Sequence, residues 1–130
     1  MSDIKDIERT ILNYLRERKW DELKPGDLSK SVAIEAGELL ELFQWENPTL
    51  ADVKNNPEKI AAIKKELADV LIYCFDLAVL LELDVEEVIM EKLKYVMKKY
   101  PAELFQNRVK EPGTEDIYWK IKKEYRQKAQ

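Results

Sequence analysis

The residues best placed to do chemistry are two pairs of acids, each with its members three residues apart. Glu35 and Glu38 form the first pair, and Glu66 and Asp69 form the second. On a helix this spacing puts both side chains on one face, about one turn apart. Each pair can therefore present two carboxylates together, and carboxylate oxygens are ligands that hard metal ions prefer.

Large apolar residues flank both pairs, which predicts that the acid-bearing faces point inward. At about 100° per residue, the positions that share the face of Glu35 and Glu38 are Leu28, Ser31, Leu42 and Trp45. The face of the second pair continues through Tyr73 and Asp76 and belongs to a strongly apolar run. Burying an unpaired ionised carboxylate costs several kcal/mol. Because neither face carries a Lys or Arg among these positions, a bound metal ion is the simplest counter-charge.

The available ligands indicate the class of metal. The chain contains no His and a single Cys, so the candidate ligands are carboxylate oxygens. Sites built from oxygen alone suit Mg²⁺ or Mn²⁺ rather than Zn²⁺ or Cu²⁺. Mg²⁺ commonly binds carboxylates together with the phosphates of a substrate. We therefore expect Mg²⁺, with Mn²⁺ as the alternative, and a substrate that carries phosphate.

Length and composition are those of a single folded domain over residues 1–130. The chain is 45% hydrophobic and 37% charged and has only 3 Gly and 5 Pro, which favours long helices and argues against disorder. A net charge of -4 argues against binding to polymeric nucleic acid, although a metal ion can still attract a free nucleotide. The sequence has no signal-peptide layout and no apolar run long enough for a bilayer, so we expect no membrane partner and a cytoplasmic location.

Apolar periodicity and capping signals predict four principal helices that position the acids. Their predicted extents are Ile4 to near Trp20, a cap at Asp27 to near Trp45, a cap at Asn56 to about Leu83, and a cap at Asp84 to the stop at Pro101. A short helical turn is expected at 49–54, and a last amphipathic helix is expected after a cap at Thr114.

The third predicted helix is apolar nearly all round from Leu67 to Leu81. It should therefore be the central and most buried element, with Cys74 as a small core residue. The residues expected to face inward on the fourth helix are Val85, Val88, Ile89, Leu93 and Val96.

Together these elements predict an all-α fold, a four-helix bundle with a C-terminal extension at 102–130. A single small bundle has difficulty enclosing both an acid cluster and a ligand of nucleotide size. Helices that are apolar on nearly every face also offer surface for another subunit. We therefore expect a homodimer or a homotetramer.

The acid pairs belong to a longer ordered pattern. That pattern comprises Trp20–Asp21, the stretch from Glu35 to Trp45, the stretch from Glu66 to Tyr73, and Lys92 with Tyr100–Pro101. It resembles the MazG-like family of all-α nucleoside triphosphate pyrophosphohydrolases, whose motif is E-x-x-E followed by E-x-x-D, and most closely its dCTP pyrophosphatase branch. The resemblance covers about residues 18–101, and the ordered set is much more specific than either acid pair alone.

The resemblance implies a metal site and a reaction. By this likeness, Glu35, Glu38, Glu66 and Asp69 would hold Mg²⁺. The enzyme would cleave a nucleoside triphosphate between its α and β phosphates, giving a monophosphate and pyrophosphate. The family assembles as dimers or tetramers with sites near subunit interfaces, so a homo-oligomer is implied as well.

The same resemblance assigns aromatic residues to the nucleotide. Trp20, Trp45 and Tyr73 match positions that line the base and sugar pocket in the family. Two departures concern the base, because Val96 stands where relatives often carry an Asn, and the His that some relatives place near the base has no counterpart in a chain without His. The preferred base, with dCTP one candidate, and the choice between ordinary and damaged nucleotides therefore stay open.

Catalytic roles follow from the chemistry of phosphoryl transfer. With no His available, a carboxylate is the natural proton acceptor for an attacking water, and Glu38 or Glu41 is expected to fill this role. Lys92, Lys98 and Lys99 are candidates to contact the outgoing pyrophosphate. The alternative for these lysines is a solvated face, which the helix dipole favours near a C-terminal end.

Two rival classes of protein use the same residue types. A carboxylate-bridged di-iron bundle requires Glu-x-x-His pairs, which a chain without His cannot provide. A non-enzymatic helical oligomer, acting as an interaction or regulatory module, would engage the acids with basic residues of a partner. Such a module should show neither turnover nor stabilisation by metal.

Overall fold

A computed structural model of the chain describes residues 2–106 and 116–129. Within these residues the regular structure is helical and contains no strand, which confirms the predicted all-α fold. The helices are α1 (Ile4–Glu17), α2 (Pro25–Glu41), α3 (Leu50–Lys54), α4 (Pro57–Leu80), α5 (Val85–Lys99) and α6 (Ile117–Lys128), with a 3-10 turn at Ala102–Leu104. None of the helices in this part of the chain combines the length and apolarity that crossing a bilayer requires.

Side-chain caps define several helix starts. The Asp3 carboxylate accepts a hydrogen bond from the Asp6 amide at 2.8 Å, and the Asp6 carboxylate accepts one from the Asp3 amide at 3.2 Å, so α1 begins with a capping box. Thr49 and Asp52 form the same motif at α3, which confirms the predicted helical turn. Asn56 Oδ1 accepts from the Lys59 amide at 3.1 Å, so the predicted cap of α4 is confirmed.

The predicted boundaries of α2 are wrong at both ends. Asp27 is not the N-cap, because the helix begins two residues earlier at Pro25, whose ring fixes φ near the helical value. Asp27 lies in the first turn instead, where its charge complements the helix dipole. At the other end α2 stops at Glu41, and the amides of Leu42 and Phe43 bond to carbonyls three residues back. Trp45 therefore lies beyond the helix and does not continue its acid-bearing face.

Two other helices end earlier than predicted, α1 at Glu17 and α4 at Leu80. Each is followed by a residue with a left-handed backbone, Lys19 with φ 58° and Glu82 with φ 57°. Such residues turn the chain so that the next amide bonds back to the last helical turn. The Trp20 amide accordingly donates to the Leu15 carbonyl at 2.8 Å, which closes α1.

The described helices form two compact units, Met1–Val85 and Glu86–Gln130. In the first unit α4 packs against α2, α1 and α3, so it is the central element there, as predicted. The buried apolar residues of the first unit are Leu15, Leu28, Val79 and Val85. The single domain expected over 1–130 stays a prediction.

One face of α4 contradicts the expected burial. Leu67, Leu71 and Cys74 share a face at helical spacing, and all three are exposed. Cys74 is therefore not a core residue, because its face of α4 is not the one that α1 and α2 cover.

The start of α5 is fixed within the first unit. The Val85 amide donates to Glu8 Oε1 at 3.0 Å, and the Lys5 ammonium pairs with the Asp84 carboxylate. Val85 is buried, as predicted. The cap predicted at Asp84 stays a prediction.

The second unit holds most of α5 together with α6. Of the residues expected to face inward on α5, Val88, Ile89 and Leu93 are instead nearly half exposed, because the described residues of the chain leave this apolar face uncovered. Tyr100 stacks on Tyr118 with ring centroids 5.0 Å apart.

Helix α6 begins at Ile117, and its cap is Asp116, whose carboxylate accepts from the Tyr118 amide at 2.9 Å. The cap predicted at Thr114 lies outside the described residues.

Candidate metal centre

The packing of α2 against α4 brings together the four acids identified in the sequence. One carboxylate oxygen from each of Glu35, Glu38, Glu66 and Asp69 lies within 4.8 Å of the others. Each helix contributes two of these residues, one turn apart on its inner face. The four oxygens are thus close enough to bind common cations, and their assignment as metal ligands stays a prediction.

A basic side chain joins the ends of the two acid-bearing helices. The Lys59 ammonium, in the first turn of α4, donates to the Leu42 carbonyl just beyond α2. The same ammonium lies 4.8 Å from the centroid of the Phe43 ring. A cation is favourable at a helix C-terminus, where carbonyls lack partners. Lys59 therefore holds the end of α2 against the start of α4.

No ion pair among the described residues neutralises the acid cluster. Glu35, Glu66 and Asp69 are half-buried, and Oε2 of Glu35 and of Glu66 is buried without a hydrogen-bond partner. None of the ion pairs formed within residues 2–106 and 116–129 includes any of the four acids. A buried acceptor without a partner costs free energy, and a bound cation would offset that cost.

Hydrogen bonding, burial and like charge together raise the pKa values of two acids in the cluster. Hydrogen bonding to Glu35 and the charge of Glu35 raise the pKa of Glu38. Burial raises the pKa of Glu66, and the charge of Glu38 raises it further. These are the effects expected of carboxylates that share a small space. Their oxygen-only donor set fits a hard divalent cation, whose charge would oppose both upward shifts.

A cavity of about 410 Å³ adjoins this cluster. Asp69 belongs both to the cluster and to the cavity lining, so the two are continuous. Trp20 and Tyr73, two of the three aromatic residues assigned to the nucleotide, also line the cavity. Trp20 meets Tyr14 edge to face with ring centroids 5.9 Å apart, which fixes its position.

The other predicted site residues are not among those that line this cavity or converge in the cluster. Trp45 is 87% exposed and does not line this cavity, because α2 ends before it. Glu41, the last residue of α2, is outside the group of converging oxygens, although its charge contributes to the raised pKa of Glu38. Lys92 lies 4.7 Å from the Tyr95 ring centroid and Lys99 lies 5.0 Å from that of Tyr125, both in the second unit. Their contact with pyrophosphate stays a prediction.

No role for Asp76 was predicted from the sequence. This residue is only 4% exposed and lines the same cavity, and its Oδ1 has no hydrogen-bond partner among the described residues. Burial raises the pKa of its carboxyl group. The signal was present in the sequence, since an acid within an apolar run, seven residues after Asp69, continues the face of the metal-site pair.

Comparison with known proteins identifies the group to which these features belong. Residues 30–113 match the profile of the MazG-like family. The chain belongs to the MazG-like family. The resemblance stated from the sequence motifs is therefore confirmed, and in this MazG-like chain all four converging acids lie within the matched residues.

Curated relatives and a solved structure agree with that assignment. The MazG-like chain is 35% identical over 103 residues to dCTP pyrophosphatase 1 of Mus musculus and 34% identical over 103 residues to that of Homo sapiens. The aligned stretch covers 78% of this chain and 61% of either relative. The fold is similar to the crystal structure of a pyrophosphatase from Archaeoglobus fulgidus, with a TM-score of 0.67, 27% identity, and coverage of 78% of this chain and 94% of that chain.

Proposed function

We propose that this MazG-like chain is a divalent-metal-dependent nucleoside triphosphate pyrophosphohydrolase. The observation that carries the proposal is the convergence of four carboxylates, none of them in an ion pair with a described residue, beside a cavity lined by Trp20 and Tyr73. The names of the curated relatives and of the structural neighbour support the same class of reaction.

In the proposed site, Glu35, Glu38, Glu66 and Asp69 hold the metal, which we expect to be Mg²⁺ or Mn²⁺. When bound, it would supply positive charge to the phosphate oxygens. Water attacks the α-phosphorus in line, a phosphorus–oxygen bond forms, and the bond to the bridging oxygen breaks to release pyrophosphate. A carboxylate oxygen of Glu38 or Glu41 accepts the proton of the attacking water.

The remaining residues would bind and orient the nucleotide. Trp20 and Tyr73 contact base and sugar, because they line the cavity next to the acids. Stacking a base on an aromatic ring contributes about 1–3 kcal/mol. Lys92 and Lys99 are proposed to attract the outgoing pyrophosphate.

We propose dCTP, or a modified nucleotide related to it, as the substrate, and removal of such nucleotides from the cellular pool as the role. The support is the name of the curated relatives. A cytoplasmic location would suit that role and stays a prediction.

A homodimer or homotetramer is proposed as the working assembly. Apolar side chains that the described residues leave exposed support it, among them Leu67 at 44% and Leu71 at 48%, which share one face of α4. Contiguous exposed apolar surface commonly marks an interface between subunits. Light scattering during gel filtration should give a mass at least twice 15.4 kDa, and a monomer would contradict this part of the proposal.

The experiment that tests the function is a substrate panel. The purified chain is incubated with each nucleoside triphosphate, dCTP included, with and without Mg²⁺, and release of pyrophosphate is measured. We expect turnover only with the metal and a monophosphate as the second product. No turnover with any triphosphate would contradict the proposal and favour the non-enzymatic interaction module. Release of orthophosphate alone would contradict the proposed cleavage between the α and β phosphates.

A further inference from the structure

Asp76 is a buried carboxyl group that the proposed mechanism does not use. It belongs to α4, is 4% exposed, and lines the cavity that also contains Asp69 and Tyr73. Its Oδ1 is shielded from solvent and accepts no hydrogen bond from any described residue. Buried polar groups in proteins are nearly always hydrogen-bonded, so this atom requires an explanation.

The surroundings of Asp76 make a carboxyl group at this position unfavourable for the stability of the folded state. Buried Leu15 and Leu28 line the same cavity, and no Lys or Arg is among its described lining residues. An apolar residue of similar size would avoid the cost of burying a carboxyl group without a partner. A buried carboxyl group without a partner, in a cavity beside a candidate metal site, is typical of a residue that binds a ligand.

The helix places Asp76 at a defined distance from the acid cluster. Asp69, Tyr73 and Asp76 follow one another at helical spacing along the inner face of α4. With a rise of 1.5 Å per residue, Asp76 lies about 10 Å along the helix from Asp69. That separation is comparable with the length of a nucleoside. If the phosphates lie at the cluster, as the proposed function requires, the base reaches Asp76.

We propose that Asp76 is a specificity-determining residue whose carboxyl group accepts a hydrogen bond from the exocyclic amino group of the nucleobase. The unpartnered Oδ1 is the acceptor, and the N–H of an amino-bearing base such as cytosine supplies the missing donor. A uracil or thymine base would place a carbonyl oxygen against this oxygen instead. Two acceptors that face each other in a buried site leave both unpaired, which is the basis of strong discrimination.

Asp76→Asn tests this assignment because it keeps the shape of the side chain and adds an amide donor. In the wild-type chain with Mg²⁺, kcat/KM for dCTP should exceed that for dUTP. The variant should lower the dCTP to dUTP ratio about tenfold or more, since a hydrogen bond to a carboxylate is lost and the amide can donate to a carbonyl. Asp21→Asn, an acid-to-amide change at an exposed residue outside this cavity, should leave the ratio unchanged.

A binding measurement separates this inference from the proposed catalysis. Calorimetry with dCMP and dUMP needs no turnover, and the wild-type chain should bind dCMP more tightly while Asp76→Asn loses that preference. Asp76→Leu, which removes the acceptor altogether, should lose it as well. If turnover is absent but the binding preference and its loss are present, the proposed function fails and the role of Asp76 stands. Equal binding of dCMP and dUMP by the wild type, or an unchanged preference in both variants, would overturn the proposed role of Asp76. In that case a buried water would be the hydrogen-bond partner of Oδ1.

Discussion

Two carboxylates three residues apart on a helix are common on protein surfaces, where water and salt solvate them. Glu35 and Glu66 differ from such residues because each has a buried oxygen without a hydrogen-bond partner. Glu38 interacts with both of these residues. Glu35 raises the pKa of Glu38, and Glu38 in turn raises the pKa of Glu66. At the scale of the residue, the cluster is built to receive positive charge.

Removing one acid of the cluster should abolish turnover without unfolding the chain. Glu38→Ala and Asp69→Ala should each lower kcat/KM more than about 100-fold, because even residues that only support metal ligands typically contribute 10–100-fold. Without metal their melting temperatures should not fall, since a like charge is removed. Steady-state release of pyrophosphate and thermal unfolding measure both effects. Glu46→Gln, at an exposed acid outside the cluster, is the control, and wild-type rates in either Ala variant would contradict the assignment.

The burial of Asp76 predicts that its contribution to the free energy of unfolding depends on pH. Burial raises its pKa above the ordinary value of 3.8, so the folded state binds a proton more tightly than the unfolded state. The stabilising effect of this proton is complete below the ordinary pKa and is lost as the pH rises through the higher folded pKa. Asp76→Asn should therefore be more stable than wild type at neutral pH, and its stability should fall less as the pH rises.

Urea unfolding of the wild type and of Asp76→Asn, at a series of pH values from acid to neutral, measures this pH dependence of the free energy of unfolding. Glu38 and Glu66 also titrate with raised pKa values, but they are present in both chains and cancel in the difference between them. Asp21→Asn should follow the wild-type curve. A constant difference between wild type and Asp76→Asn at every pH would contradict the assigned burial effect.

At the scale of the element, the acid-bearing faces and the start of α4 after Asn56 could be predicted from the sequence, but the ends of α1, α2 and α4 could not. The spacing of Glu35, Glu38, Glu66 and Asp69 fixes which faces carry the acids, and α2 and α4 bring those faces together. The end of α2 depends on local hydrogen bonds that periodicity does not encode, so Trp45 was wrongly placed on the acid-bearing face.

Lys59 offers a test of how the two acid-bearing helices are joined. Lys59→Met keeps most of the aliphatic stem but removes the charge that binds the Leu42 carbonyl. It should lower the free energy of unfolding by about 1 kcal/mol, the usual scale for a cation at a helix C-terminus. Chemical denaturation measures the loss. Lys64→Met, at an exposed residue of the same helix, should have a much smaller effect, and equal effects of the two changes would contradict this role.

At the scale of the whole molecule, the all-α class and the membership in the MazG-like family were both predictable. Burial was less so. Val88 and Leu93 on α5 and Cys74 on α4 have the residue types of a core but are exposed in the single chain. Hydrophobicity indicates that a face will be covered, and it does not say whether the cover comes from the same chain or from another subunit.

Asp76 illustrates the opposite difficulty. Its position within an apolar run marked it as unusual, but only the three-dimensional arrangement shows that it shares a cavity with Asp69 and Trp20. Sequence spacing relates residues on one helix, whereas a cavity is lined by side chains from several helices. The metal-site pairs could therefore be found from the sequence, and the far end of the cavity could not.

The most direct test of the central claim is the melting temperature of the chain as Mg²⁺ or Mn²⁺ is added. A cation held by the four converging acids stabilises the folded state alone, by about 2.7 kcal/mol at 100 times its Kd, which corresponds to a rise of roughly 10 °C. The wild-type chain should show this rise, and Glu66→Gln, which removes one of the four charges, should show much less. Melting temperatures that do not change with either metal, or that rise equally in both chains, would contradict a metal centre at these residues.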